Sequence, residues 1–292
     1  MDAKRGIDVS YAQGLIDWKR VAESGVEFAM LRMGKAETMD TYFERNWAGA
    51  KAAGIPVGAY WFSYAVSVDE ARREAEAAKK IMNTHPLELG LFYDFEYDTE
   101  TKAKARGVAF SKKSRGEIIR AFCDAIPGTG VYLNGDYLRS RLENGAVKGY
   151  PLWIASWKLP YAKGFEKNPS GAPSKWGLPT IWQFSCKGRI DGIRTDVDLN
   201  FGYWKNFPKK KETPPAPEKK GGAEELKKGD AVCVSEFTRI GLRKKAKTYD
   251  GKTWTVYLDR YEVIQVNGDR VVIGSKGVVT AAVNRKILKK IR

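Results

Sequence analysis

Two acidic residues stand one residue apart inside an apolar stretch, where an ionised side chain is costly to bury. The stretch is LFYDFEYD, residues 91–98, and the two acids are Asp94 and Glu96. Alternate residues of a β-strand point to the same face and lie roughly 6.6 Å apart along it. We therefore expect the two carboxyl groups to project together, while Tyr93 and Phe95 face the opposite side.

Two further acids occupy comparable positions on other predicted strands. Asp8 lies in GIDVS near the end of the first strand, and Asp198 lies in DVDLN on the last. In a closed barrel the first and last strands are neighbours, and the carboxyl ends of the strands form the rim that carries active sites. Crowding and burial of carboxyl groups raise the pKa of at least one of them. We assign Asp196, which lies further from the rim, to a structural ion pair or cap.

Such a cluster suits the cleavage of a glycosidic bond. The leaving oxygen must receive a proton as the bond breaks, so the reaction needs a carboxylic acid that stays protonated near neutral pH. The predicted catalytic residues are therefore Asp8, Asp94, Glu96 and Asp198.

Aromatic and amide side chains recur at the same predicted strand ends. Aromatic rings can stack on sugar faces, and amides can hydrogen-bond hydroxyl or acetamido groups, which favours a carbohydrate over a small charged metabolite. The predicted substrate-binding residues are Tyr60, Phe62, Tyr132, Asn134, Trp153 and Gln183. Trp61, Trp157 and Trp182 follow the same pattern, although each ring taken alone is expected to serve packing.

The rare residue types exclude several other kinds of catalytic site. The chain has one histidine, His85, which is the sole candidate for a Ser-His-Asp triad or a Cys-His peptidase site and is too few for a two-histidine zinc site. It stands before Pro86, where a helix is predicted to end, which favours a structural role. The three cysteines of the chain, Cys123, Cys186 and Cys233, are far apart and lack zinc-site spacing. We therefore predict no metal and no cofactor, a structural role for His85, and core positions for the cysteines.

The elements that must position these residues follow from an alternation of short apolar runs and helical patterns. The clearest helix begins at Ser67, where Glu70 completes a predicted capping box, and a second covers residues 111–126. The alternation predicts a parallel sheet closed into a TIM-like barrel, with loops rather than helices between the last three strands. The eight predicted strands are residues 6–10, 26–34, 56–64, 87–98, 128–135, 151–157, 179–185 and 196–200.

The composition changes after the last predicted strand. Residues 205–225 contain four prolines and six lysines, which predicts a semi-extended linker. Beyond it the apolar period becomes two, and Asn267-Gly268 marks a hairpin. We predict a barrel domain at 1–204, a linker at 205–225, and a small all-β, SH3-like domain at 226–292. Its aromatic residues either line a binding groove or fill the core; they are Trp254, Tyr257 and Tyr261.

The positive charge is concentrated in this last part of the chain. The formal net charge is +16, and residues 226–292 carry 16 lysine and arginine residues against 6 acidic ones. That distribution indicates docking on a polyanion, although a merely solubilising surface is the alternative. A nucleic-acid-binding protein is a further alternative, but no reader motif is recognisable, so we predict no specific nucleic-acid partner.

Taken in order, several of these motifs resemble the family 25 glycoside hydrolases, muramidases that include many phage endolysins. The resemblance covers residues 5–204 and rests on GIDVS, GAYWFSY, YDFEYD, GVYLN, LWIASW, IWQFS and DVDLN. It implies an irregular (β/α)5(β)3 barrel and hydrolysis of the β-1,4 bond between N-acetylmuramic acid and N-acetylglucosamine.

The resemblance also implies a role for each of the four acids. Glu96 matches the general acid, Asp94 matches its companion carboxylate, and Asp8 and Asp198 match supporting acids. Whether Asp94 attacks the anomeric carbon or orients the substrate's acetamido group stays open. A non-catalytic protein that binds wall saccharides is the alternative function.

The C-terminal part resembles the SH3-like wall-binding modules of clostridial phage lysins. The expected partners are bacterial peptidoglycan and wall polymers, and no oligomeric state is predicted. The N-terminal residues lack an apolar signal-peptide core, and no stretch of about 18 apolar residues suggests a membrane span. We therefore expect synthesis in a host cytoplasm, action on the wall after release, and no membrane partner.

Overall fold

The computed structural model describes residues 3–157, 161–165, 171–173, 177, 179–205, 208, 226–240, 243–275 and 277–291. The chain divides into two compact units, Met1–Pro214 and Pro215–Arg292. Most of the predicted linker lies outside the described residues, so the three domain limits stay a prediction. Within the described ranges, every helix is too short or too polar to cross a bilayer.

Eight strands of the first unit form a closed barrel. The first seven barrel strands are parallel to their neighbours, and the eighth is antiparallel to both of its neighbours. The strands are β1 (Lys4–Val9), β2 (Phe28–Lys35), β3 (Thr38–Met39, paired with β2 outside the barrel), β4 (Val57–Phe62), β5 (Leu91–Asp94), β6 (Gly130–Asn134), β7 (Leu152–Ala155), β8 (Ile181–Gly188) and β9 (Val197–Gly202). The predicted mixed α/β barrel is confirmed, whereas the count of five βα units stays a prediction.

Helices connect the earlier barrel strands. They are α1 (Trp18–Glu23), α2 (Phe43–Ala52), α3 (Val68–Met82), α4 (Tyr97–Ala105), α5 (Lys112–Ala125) and α6 (Gly135–Arg141). Among the described residues between β7 and β9 there is no α-helix, as the sequence predicted. The capping box predicted for α3 is only half formed. Ser67 accepts the Glu70 N–H at 3.2 Å, but the Glu70 carboxylate accepts the N–H of Val66 instead of that of Ser67.

The alternation of strand residues produces two apolar regions. Outward residues pack under the helices, where the ring of Tyr93 stacks on Phe122 of α5 with centroids 3.9 Å apart. Inward residues, including Phe28, Phe92 and Trp153, form an aromatic plug inside the barrel. Gly6 makes room for this plug, because a Cβ there would stand 2.1 Å from the Phe28 ring. The plug fills part of the interior and leaves polar side chains at the carboxyl ends of the strands.

The single histidine and the three cysteines have different environments. His85 packs edge-on against Trp47, with ring centroids 4.9 Å apart, and its Nε2 is 2.9 Å from the Glu44 carboxylate. The predicted structural role of His85 is thus confirmed. The cysteines are free thiols: Cys123 is buried, whereas Cys186 and Cys233 are only partly buried.

The second unit is built from short antiparallel strands. They are β10 (Ala231–Val234), β11 (Thr238–Ile240), β12 (Arg243–Lys247), β13 (Thr253–Val256), β14 (Tyr261–Asn267), β15 (Arg270–Ser275), β16 (Val278–Asn284) and β17 (Leu288–Lys290). They form a five-stranded sheet, in the order β16-β15-β14-β10-β17, and the three-stranded sheet β11-β12-β13. An SH3-like assignment stays a prediction.

The predicted hairpin of the second unit joins β14 to β15. Asn267 pairs with Arg270, so the turn residues are Gly268 and Asp269, one position later than the sequence suggested. Gly268 has φ 57°, which favours glycine.

The aromatic residues of this unit divide between core and surface. Tyr261 is buried, Trp254 packs against the core, and Tyr257 is 78% exposed. The core prediction therefore holds for two of the three.

Candidate active site

The pairing of β1 with β9 places Asp8 directly opposite Asp198. The two residues are register partners across the antiparallel pair, and their carboxyl groups share a hydrogen bond. Burial raises the pKa of both groups, and the charge of Asp8 adds to this effect at Asp198, whose pKa reaches about 9. The pair therefore retains a proton near neutral pH.

Two buried amides fix the carboxylate of Asp8. Asn200 Nδ2 donates to Asp8 Oδ2 at 2.7 Å, and Gln183 Nε2 donates to the same oxygen at 3.0 Å. These bonds lower the pKa of Asp8 and partly offset its burial. Asp8 is consequently the member of the pair that holds the negative charge more readily.

Phenol and indole groups set the orientation of both amides. Tyr132 Oη and Trp157 Nε1 donate to Gln183 Oε1 at 3.1 and 3.0 Å, and Trp153 Nε1 donates to Asn200 Oδ1 at 2.9 Å. Because the amide oxygens accept these hydrogens, the amide nitrogens must face Asp8.

Asn200 was missed by the sequence analysis, although a signal existed. It stands two residues after Asp198 on one strand, so it shares the inward face.

Asp94 is the last residue of β5 and lies beside Phe62 and Tyr132 in the strand register. Its side chain is buried, and Oδ1 has no hydrogen-bond partner among the described residues. Burial raises the pKa of Asp94 well above its usual value, and the charge of Glu96 raises it further. A buried, unpartnered carboxyl oxygen is costly, which is typical of a group that awaits a ligand.

Glu96 lies just beyond the end of the strand, because β5 stops at Asp94 and does not continue to residue 98 as predicted. Its backbone is nonetheless extended, with φ −144° and ψ −171°, and it is the N-cap residue of α4. The Glu96 N–H donates to Thr99 Oγ1 at 3.4 Å, and Thr99 Oγ1 donates to the Ser63 carbonyl at 2.8 Å. Burial raises the pKa of Glu96 to about 7, with the charges of Asp98 and Asp8 adding to the effect.

A further buried acid, Glu74 of α3, supports this segment from behind. Its Oε1 accepts the Tyr64 N–H at 2.9 Å, and its Oε2 accepts the Tyr93 hydroxyl at 2.7 Å. That hydroxyl is also 2.7 Å from Ser63 Oγ, and the Ser63 N–H donates to the Asp94 carbonyl at 2.9 Å. Glu74 thereby connects α3 to the backbone that carries the catalytic candidates.

Glu74→Gln is expected to stabilise the protein progressively as the pH rises. Burial raises the pKa of Glu74 to about 7. Its contribution to the free energy of unfolding is therefore fully present below the unfolded pKa and lost between about pH 4.5 and pH 7. The loss is on the order of 3 kcal/mol. The amide stays neutral, and the Tyr93 hydroxyl can accept from it while donating to Ser63.

Melting temperatures at pH 5 and pH 8 test this expectation. Relative to wild type, the Glu74→Gln variant should gain stability from pH 5 to pH 8. Glu76→Gln, an exposed change on the same helix, should show no such trend. An equal difference at both pH values would contradict the role assigned to burial.

A cation was also missed at the strand ends. Arg32 of β2 binds Asp40 through Nε, 2.7 Å from Oδ2, and its guanidinium carbon lies 4.7 Å from the centre of the Tyr11 ring. Asp40 also accepts the N–H groups of Tyr11 and Tyr42, at 3.3 and 2.8 Å. The positive charge of Arg32 lowers the pKa of Asp94 and so opposes the effect of the neighbouring acids. Its inward position follows from the strand predicted over residues 26–34.

Three of the predicted substrate-binding residues are partly exposed. Tyr60 borders the aromatic plug, with its ring centroid 5.8 Å from that of Trp153, and Phe62 follows it on the same face of β4. Asn134 ends β6, and its Oδ1 accepts the Asp136 N–H at 2.8 Å. These three are the predicted contacts that retain exposed surface.

The other predicted contacts are buried. Tyr132 and Gln183 belong to the network that holds Asp8. Trp153 is 1% exposed inside the plug, so it offers no face to a sugar and instead orients Asn200. Trp61 and Trp182 point outward into the apolar core that surrounds the barrel. For Trp153, then, the structure corrects the sequence-based placement.

Asp196 lies outside this network. Asp196 pairs with Arg189 at 2.9 Å, as the structural assignment predicted. In the part of the chain that the structure describes, no group of three or more His, Cys, Asp or Glu side chains is arranged to hold a metal ion.

Comparisons with known proteins point to the same region of the chain. The family model for glycosyl hydrolases of family 25 matches residues 7–193. YegX of Escherichia coli (strain K12) is 28% identical over 206 residues, which are 67% of this chain and 68% of that protein. Lysozyme M1 of Streptomyces globisporus is 27% identical over 210 residues, covering 67% of this chain and 66% of the lysozyme.

A solved structure has a similar fold. It is the autolysin LytC of Streptococcus pneumoniae in complex with a synthetic peptidoglycan ligand, with a TM-score of 0.58 and 23% identity. The alignment covers 69% of this chain and 47% of LytC, so the chain spans about half the length of that protein.

Proposed function

Because the chain belongs to the glycosyl hydrolases of family 25, we propose that it hydrolyses the β-1,4 bond between N-acetylmuramic acid and N-acetylglucosamine in bacterial peptidoglycan. The observation that carries this proposal is the position of Glu96, two residues beyond the buried Asp94 at the carboxyl end of β5, where burial raises the pKa of Glu96 to about 7. Lysozyme M1 and LytC, the latter bound to a peptidoglycan ligand, support the choice of substrate.

Glu96 acts as the general acid and then as the general base. At neutral pH much of its population is protonated, so it can transfer a proton to the glycosidic oxygen as the bond to the anomeric carbon breaks. The resulting carboxylate then takes a proton from the water that completes hydrolysis. Its buried position keeps the proton until the leaving group requires it.

Asp94 orients the acetamido group of the substrate. Its Oδ1 has no hydrogen-bond partner among the described residues and suits the acetamido N–H. The acetamido oxygen then attacks the anomeric carbon, forming one C–O bond as the glycosidic C–O bond breaks. This substrate-assisted course is the one that we favour over attack by Asp94 itself.

Asp8 and Asp198 supply a charge that is fixed in place. The amides of Asn200 and Gln183 hold the Asp8 carboxylate, and Asp198 retains the shared proton. A fixed negative charge near the reaction centre stabilises the positive charge that develops on the sugar.

The second unit is proposed to bind the bacterial wall. Its excess of lysine and arginine suits the phosphate and carboxylate groups of Gram-positive walls, so we assign it to wall binding. We further propose that the protein is a phage endolysin, made in the host cytoplasm and active on the wall after release.

Digestion of purified Gram-positive walls tests the proposed activity. We expect new reducing ends and, after reduction and mass spectrometry, fragments that end in reduced muramic acid. Fragments ending in reduced glucosamine, or new amino groups without reducing ends, would refute the bond assignment. Wall binding without any new reducing ends would instead support the non-catalytic alternative.

A further inference from the structure

A groove in the second unit has the composition of an anion-binding site. Its volume is about 540 Å³. We call it the lysine groove and define it by Phe237, Lys245, Lys247, Thr253 and Lys286. Its lining combines three cations from two elements with one aromatic ring.

Within the described part of the second unit, the three groove lysines carry charge that no carboxylate neutralises. Lys245 Nζ and Lys247 Nζ donate to the hydroxyl groups of Thr255 and Thr253, at 2.5 and 2.9 Å. Among the described residues, neither of them nor Lys286 forms an ion pair with a carboxylate. Other lysines of the same unit do form such pairs: Lys244 with Asp259, Lys252 with Asp250 and Lys290 with Asp230. Glu236 also lines the groove, but one acid against three lysines leaves the lining with a net positive charge.

The spacing of the lysines suits a repeating anion. Lys245 and Lys247 are two residues apart on β12, so their side chains share one face and stand roughly 6.6 Å apart along the strand. Lys286 comes from the short 3₁₀ helix Arg285–Ile287 and adds a third cation. Lysine ammonium groups bind phosphate as point charges and need no fixed orientation of the phosphate group.

We propose that the lysine groove binds the phosphodiester chain of a wall polymer, an inference that rests on the proposed action on bacterial walls. Single-stranded nucleic acid is the weaker candidate, because its binding sites stack successive bases on several aromatic rings and this groove has one.

Binding of the full-length chain to two wall preparations tests the proposal. One preparation keeps its phosphodiester polymers, and hydrofluoric acid has stripped them from the other. The test variant replaces Lys245, Lys247 and Lys286 with glutamine. The control variant replaces Lys228, Lys252 and Lys289, which lie outside the groove lining, with glutamine. Both variants therefore lose the same total charge. Circular dichroism verifies that both variants fold.

We expect wild type and the control variant to bind native walls at least tenfold more tightly than stripped walls. The groove variant should bind both preparations equally. Equal loss in both variants would overturn the proposal, because it would mean that only total charge matters. Equal binding of wild type to both walls would also overturn it, as would stronger, groove-dependent binding to single-stranded DNA.

Release of reducing ends from stripped walls separates this proposal from the proposed enzymatic function. Both variants should retain the wild-type rate on stripped walls, since the catalytic unit is unchanged. If wild type releases no reducing ends from either preparation, the proposed hydrolysis fails, whereas the binding comparison still decides the role of the lysine groove.

Discussion

Glu96→Gln is expected to lower the rate of wall hydrolysis roughly 10³-fold, within the range of effects that general acids produce. Glutamine preserves the size of the side chain but has no proton to give to the leaving oxygen. The release of reducing ends from purified walls measures the loss. The melting temperature should not fall, because the change removes a carboxyl group whose pKa burial raises to about 7.

The pH dependence of the wild-type rate provides the second part of this test. Glu96 donates a proton only while it is protonated, so activity should fall as the pH rises through about 7. The residual rate of the Glu96→Gln variant should lack this decline. Glu23→Gln, an exposed change on α1, should keep both the rate and the decline. A Glu96→Gln variant that clears walls at the wild-type rate would remove Glu96 from the mechanism.

The faces of the strands could be predicted from the sequence because β-strand alternation has a period of two. Asp8, Asp94 and Asp198 each appear on the inward side, as their neighbours in the chain implied. The pairing of Asp8 with Asp198 followed from closure of the barrel, since closure makes the first and last strands neighbours. Local patterns thus determined which side chains point inward.

The depth of an inward side chain along the barrel axis could not be predicted in the same way. Trp153 and Gln183 have the inward direction expected of ligand contacts, yet both are buried. Their depth depends on the stagger of strands that are distant in sequence, which no local pattern reveals. The partners of Glu70 and Glu74 were equally hidden, because both carboxylates bond to backbone in the segment that follows β4, and Glu74 also bonds to Tyr93 of β5.

The residue at which β5 ends was also predicted wrongly. The apolar run through residue 98 predicts a longer strand, but α4 begins at Tyr97 and Thr99 bonds to both Ser63 and the Glu96 N–H. The relation between Asp94 and Glu96 survives because the backbone of Glu96 is extended.

Asp94→Asn is expected to lower the rate of hydrolysis roughly 10²- to 10³-fold, comparable to the loss of one preorganised electrostatic contact in a transition state. The amide can still accept one hydrogen bond, but, unlike the carboxyl group, it cannot become negatively charged as positive charge develops on the acetamido group. The loss should appear in kcat more than in KM, because the ground-state contact with the N–H is retained.

The same substitution should make the protein more stable at neutral pH. Burial raises the pKa of Asp94 well above its usual value. As the pH rises above the pKa of Asp94 in the unfolded chain, the unfolded state is stabilised by ionisation while the folded state keeps the proton, so the free energy of unfolding falls. Asparagine avoids that loss. The melting temperature of Asp94→Asn should therefore exceed that of wild type at pH 7, and the difference should narrow towards pH 4. A less stable, less active variant would indicate that Asp94 is a structural residue, whereas a more stable, inactive one identifies an acid that is retained for its chemistry.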